Sequence, residues 1–197
     1  MSSALKPAVN RVIEPIARLA IRTKVTPNAV TLLGTAGTII SALYFYPGGH
    51  LFVGTLFISF FALSDLFDGA IARLSEKGAS AWGGFLDSTC DRLTDSAILG
   101  GVAIYCILED FAICPVVIAS IVIGFLVPYI RAKAESFGIA CTVGVAERTE
   151  RIILALTGIG LEGLGVPYAL TISMWILVVL GAVTVVQRVV VVRRGLA

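Results

Sequence analysis

Charge is what this sequence has least of. Only 14% of its 197 residues are Asp, Glu, Lys or Arg, against roughly 25% in an ordinary soluble domain. The 15 basic and 13 acidic residues leave a formal charge of +2 and form no run of one sign. That excludes a charged tail and argues against a nucleic-acid binder. The four cysteines have no CxxC spacing. Cys90, Cys106, Cys114 and Cys141 read as small buried hydrophobes in a reduced setting. No Gly-Lys-Ser/Thr phosphate loop is present, so nothing points to ATP. Residues 1–25 lack the continuous apolar stretch of a signal peptide, being broken by Lys6, Arg11, Glu14, Arg18 and Arg22. What is abundant is apolar: 57% of residues, with a mean hydropathy of +0.96. The composition is that of a polytopic membrane protein.

A spanning helix takes about 20 mostly apolar residues. On that measure the chain predicts six, at 29–47, 50–71, 84–108, 111–133, 149–165 and 167–192. The fifth is short and rich in glycine. With a cytoplasmic N-terminus, all 15 Lys and Arg fall in inner segments or in the inner half of a span. The outer connections hold His50, Glu109, Asp110 and Glu162 and no basic residue. This positive-inside pattern predicts an all-α membrane protein with six transmembrane helices and both termini in the cytoplasm. In residues 2–23, Leu5, Val9, Val12, Ile13, Ile16 and Leu19 recur at helical spacing opposite Lys6, Asn10, Glu14 and Arg18. Residues 1–25 therefore read as an interfacial, juxtamembrane amphipathic helix, the alternative being a helix packed on the protein itself. Residues 26–197 then form the six-helix transmembrane domain.

Four aspartates at the inner ends of spans two and three carry the chemistry. Asp65 and Asp68 stand three residues apart, Asp87 and Asp91 four, so each pair shares a helix face. Four carboxylates gathered at low dielectric repel one another unless a proton or a cation neutralises them. An oxygen-only set without convergent His or Cys suits a hard ion, Mg2+ or Mn2+, rather than zinc. Gly69 and Gly83 remove side chains beside the acids and open room for a bulky ligand. The plainer alternative pairs these acids with Arg73, Lys77 and Arg92 at the headgroup level.

The run Asp65-x2-Asp68-Gly69-x2-Ala72-Arg73-x9-Gly83-x3-Asp87-x3-Asp91 resembles the signature of the CDP-alcohol phosphotransferases in all eight fixed positions. These membrane enzymes move a phosphatidyl or similar group from a CDP-linked donor to an alcohol and release CMP. The resemblance implies that Asp65, Asp68, Asp87 and Asp91 ligate a divalent metal pair, and that Asp91 deprotonates the acceptor hydroxyl. The sequence alone leaves open whether one ion binds or two. By the same resemblance Gly69 and Arg73 contact the CDP part of the donor, CDP-diacylglycerol. Asn28, Ala29, Val30 and Thr31 would line the nucleotide site, and Ser80 would touch the donor. Asn28 could instead cap its helix, and Arg73 could serve as a positive-inside anchor.

Arg131 and Lys133 end span four, Arg148 and Arg151 begin span five, and Arg188 lies on span six. Such a cluster favours an acceptor that itself carries phosphate, although inner ends are basic in any membrane protein. Residues 86–92, 129–135 and 147–153 are similar to segments of one actinobacterial branch of the family, the phosphatidylinositol-phosphate synthases. That branch joins 1L-myo-inositol 1-phosphate to CDP-diacylglycerol, and the likeness makes Lys133, Arg151 and Arg188 the acceptor-phosphate residues, with Arg131 a weaker fourth. A phosphatidylglycerophosphate synthase using glycerol 3-phosphate would show the same basic cluster. A cation or proton transporter would place charge near the bilayer midplane, whereas here the acids stand at inner helix ends. Family members are typically homodimers, which is the expectation here.

Overall fold

The computed structural model describes residues 26–63 and 80–196. Residues 1–25, where the interfacial helix is expected, lie outside the described residues, as do Asp65, Asp68, Gly69 and Arg73. Six helices, and no strand, occur among the described residues: α1 Pro27–Phe45, α2 Leu51–Ala62, α3 Ala81–Leu108, α4 Cys114–Ser136, α5 Arg148–Gly163 and α6 Ala169–Leu196. Three of them, α1, α4 and α6, are long and apolar enough to cross a membrane. That is fewer than the six predicted spans. The described part of α2 is only 12 residues long, α3 carries Asp87, Asp91, Arg92 and Asp95, and α5 has 16 residues.

The described parts of residues 1–40 and 57–94 make one compact unit, and those of 41–56 and 95–197 a second. In the first, Thr26 caps α1, its hydroxyl accepting from the Ala29 N–H at 3.2 Å, and Pro27 follows at the first helical position. There its fixed φ suits the helix and its missing N–H costs nothing. The buried side of α1 is made of hydroxyls, Thr31, Thr35, Thr38 and Ser41, while Leu32, Leu33, Ile40, Leu43 and Tyr44 point outward. A soluble helix does the reverse; small residues inside and large apolar ones outside are the arrangement of a helix in lipid. Close packing fixes Gly37, because a Cβ there would run into the Phe61 ring of α2.

In the second unit the turn after α1 is closed by Gly49 at φ +75° and by the His50 N–H donating to the Phe45 carbonyl at 2.9 Å. Tyr46, fully buried, shares a hydrogen bond with Thr55 at 3.0 Å. The core is apolar, with Ile98, Val102 and Cys106 of α3, Val117 of α4, Ile159 of α5 and Leu170 and Met174 of α6. The glycines of α5 serve its packing. A Cβ on Gly158 would overlap the Ser173 side chain of α6, and one on Gly163 would strike the Phe52 backbone of α2. Glu162 accepts the Leu170 N–H at 3.0 Å and so caps α6 from a neighbouring helix. All four cysteines are free; Cys90, Cys106 and Cys141 are buried and Cys114 is half-buried.

Candidate active site

Two of the residues assigned to the donor by sequence, Asn28 and Ser80, come together with Gly83 at the head of α3. Ser80 caps this helix, its hydroxyl accepting from the Gly83 N–H at 2.9 Å. A Cβ on Gly83 would stand 3.1 Å from the Ser80 hydroxyl and 3.4 Å from Oδ1 of Asn28. Gly83 therefore lets the Ser80 hydroxyl and the Asn28 side chain stand close together against the first turn of α3. Because Thr26 caps α1, Asn28 is not the cap that the sequence left as an alternative. Ala29 and Val30 follow Asn28 in the first turn of α1, half-buried. The Thr31 hydroxyl donates to the Pro27 carbonyl at 3.1 Å.

One turn beyond Gly83 comes Asp87, and one turn further Asp91, so the two carboxylates lie along the helix face that Gly83 opens. Asp87 is exposed. Asp91 is largely covered, with 19% of its side chain exposed and its Oδ2 3.6 Å from Nη2 of Arg92. Among the described residues nothing stands within 4 Å of where a Cβ on the neighbouring Gly84 would be. Two oxygen donors stacked a turn apart fit a hard divalent cation. Among the described residues no group of three His, Cys, Asp or Glu side chains gathers; Asp65 and Asp68 lie outside them.

The basic residues belong to the second unit and differ from one another. Arg131 is half-exposed and its Nε binds Oε1 of Glu135 at 2.8 Å. Lys133 is exposed, with its ammonium 4.7 Å from the centre of the Phe137 ring. Arg151 is half-buried in the first turn of α5. Arg188 is only 8% exposed and gives Nε to the Val143 carbonyl at 2.9 Å and Nη1 to the Val127 carbonyl. Part of its fork thus holds main chain, which the sequence reading did not foresee.

Arg148, which the sequence placed in the basic cluster, reaches Asp95 with Nε at 3.2 Å and Nη2 at 3.1 Å, tying the start of α5 to α3. Thr184 escaped the sequence reading: fully buried, it receives the Val145 N–H at 3.3 Å. Its signal was a hydroxyl in the valine-rich half of α6, four residues before a basic side chain.

Residues 24–187 match the family model described as CDP-alcohol phosphatidyltransferase. A phosphatidylinositol phosphate synthase of Streptomyces avermitilis is 45% identical over 193 residues, covering 93% of this chain and 79% of that protein. Among solved structures, the phosphatidylinositol phosphate synthase of Mycobacterium tuberculosis with CDP-DAG bound superposes with a TM-score of 0.86 at 38% identity, covering 92% of this chain and 94% of that one. The same enzyme in complex with manganese and citrate gives a TM-score of 0.84 at 39% identity, over 91% and 88% of the two chains. With the family model matching most of its length and the eight signature positions complete, this chain belongs to the CDP-alcohol phosphatidyltransferase family.

Proposed function

We propose that the protein transfers the phosphatidyl group of CDP-diacylglycerol to a hydroxyl of 1L-myo-inositol 1-phosphate, giving phosphatidylinositol phosphate and CMP. The observation that carries this reading is relatedness over nearly the whole chain to proteins of that name, 45% identity across 93% of it in one case. The grouping of Asn28, Ser80 and Gly83, with Asp87 and Asp91 on the turns that follow, supports it from the structure.

In this reading Asp65, Asp68, Asp87 and Asp91 hold two divalent ions, Mg2+ or Mn2+, as the manganese in a solved relative supports. When bound, metal neutralises the diphosphate and the CMP that leaves. Asn28, Ala29, Val30, Thr31, Gly69, Arg73 and Ser80 bind the nucleotide end of the donor, while its acyl chains stay in lipid. Asp91 takes the proton of the acceptor hydroxyl as that oxygen attacks the phosphatidyl phosphorus; the bond from phosphorus to CMP breaks and CMP leaves with the electron pair. Lys133, Arg151 and Arg188, with Arg131 beside them, hold the acceptor phosphate.

The positive-inside pattern supports six spans, cytoplasmic termini and a reaction at the cytoplasmic face of the cell membrane. Residues 1–25 would form the juxtamembrane helix and 26–197 the catalytic domain, and the functional unit would be a homodimer.

The test is CMP release from CDP-diacylglycerol and Mg2+ in micelles with inositol 1-phosphate, free inositol or glycerol 3-phosphate. Release with inositol 1-phosphate alone is expected. Release with glycerol 3-phosphate alone would replace the acceptor and keep the rest; no release with any would overturn the reading.

A further inference from the structure

Thr184 and Arg188 stand one turn apart on α6 and grip the loop between α4 and α5 from both sides of one residue. Thr184 takes the N–H of Val145 at 3.3 Å, and Arg188 gives Nε to the carbonyl of Val143 at 2.9 Å. Gly144 lies between the two bonds. A Cβ there would stand 2.8 Å from the Thr184 methyl, and its φ of +158° also favours glycine. The Thr184 hydroxyl is satisfied twice, since it also donates to the Leu180 carbonyl at 2.9 Å. Around the grip, Cys141 and Ala146 are buried, and Ile139 packs where a Cβ on Gly195 would have to go.

What this loop joins gives the grip its meaning. Before it, α4 ends with Lys133 and closes on Gly138 at φ +73°. After it, α5 starts at Arg148 and carries Arg151 in its first turn, with Glu150 accepting the Glu147 N–H at 2.9 Å to fix that start. The loop therefore sets the spacing between two cations assigned to one phosphate. Loops that place charged groups need such anchoring, because a shift of about 1 Å already weakens oriented binding.

We infer that Thr184 is a positioning residue for acceptor recognition: by holding Val145 it fixes the loop that sets Arg151 against Lys133, without itself touching substrate. The inference rests on the reading of Lys133 and Arg151 as acceptor-phosphate residues. It predicts a defect in one substrate only. In T184V, which keeps the shape and removes the hydroxyl, the KM for the phosphorylated acceptor rises about five- to tenfold, the loss of one buried hydrogen bond. The KM for CDP-diacylglycerol stays within about twofold, and T184S restores the acceptor value. Amide exchange in residues 139–147 speeds up in T184V and not in T184S.

The experiment measures both KM values and that exchange on full-length protein in micelles, using whichever phosphorylated acceptor the unmodified enzyme turns over. Failure of the unmodified enzyme to use any phosphorylated acceptor would count against the functional reading, and the exchange comparison would still test the grip. An unchanged acceptor KM, or equal rises for donor and acceptor, would overturn the inference. So would a T184S variant as impaired as T184V. If T184V is not recovered folded, T184A makes the same deletion with less bulk and is judged by the same outcomes.

Discussion

The two halves of α3 show how one helix divides chemistry from packing. From Ala81 to Thr94 it is mostly exposed: Trp82, Phe85, Asp87 and Leu93 are exposed and Cys90 alone is buried. From Asp95 to Leu108 it is core, with Ala97, Ile98, Val102 and Cys106 buried and a Cβ on Gly101 set to meet the Ala42 carbonyl at 2.5 Å. Glycine does different things in the two halves. At Gly83 it admits the polar ends of Ser80 and Asn28, and at Gly101 it lets a neighbouring backbone fill the space. Proximity to acids separates the two kinds in the sequence; only the contacts explain the second.

Four experiments sharpen or break that contrast. The largest effect is expected from metal removal: chelation stops CMP release, and added Mn2+ or Mg2+ restores it. Activity that persists without divalent metal would take the aspartates out of a metal site. Next, D91N lowers turnover by about 10²- to 10⁴-fold, the usual span for a lost general base. Its melting temperature in micelles should stay near that of the unmodified protein, since the change is nearly isosteric at a partly exposed site. In the other half, G101A destabilises by about 1–3 kcal/mol, because the new methyl meets backbone and not a flexible side-chain end. Thermal unfolding reads this, while turnover per folded molecule stays near normal. The smallest effect is G84A, where the loss of an exposed interior glycine predicts stabilisation of up to about 1 kcal/mol. A G84A variant less stable than the unmodified protein would show that the front half of α3 is covered after all.

Local signals carried most of what was legible. Hydropathy placed spans at 29–47, 84–108, 111–133, 149–165 and 167–192, against helices at 27–45, 81–108, 114–136, 148–163 and 169–196. The ends moved because caps decide them: Thr26 with Pro27 starts α1 and Ser80 starts α3, each ahead of the first strongly apolar residue. Spacing also joined Gly83, Asp87 and Asp91, since a helix face is a local property. What stayed hidden depended on distant partners. The bonds of Arg188 reach 45 and 61 residues back along the chain, and that of Thr184 reaches 39. No local pattern announces that a cation will hold main chain. The glycines of α5 follow the same rule: the sequence shows Gly158 and Gly163 but not that Ser173 and Phe52 are pressed against them.

The hydroxyls of the three long apolar helices bear on how such a chain is assembled. Thr31 in α1 donates to Pro27, Ser120 in α4 to Val116, and Ser173 and Thr184 in α6 to Leu170 and Leu180. Every one of these acceptors lies three or four residues back in the same helix. Each of these four hydroxyls thus has its partner within its own helix and needs no neighbour to enter hydrocarbon. Insertion and assembly become separable events: the helices can be delivered to the bilayer singly, in order of synthesis, and recognise one another there by fit.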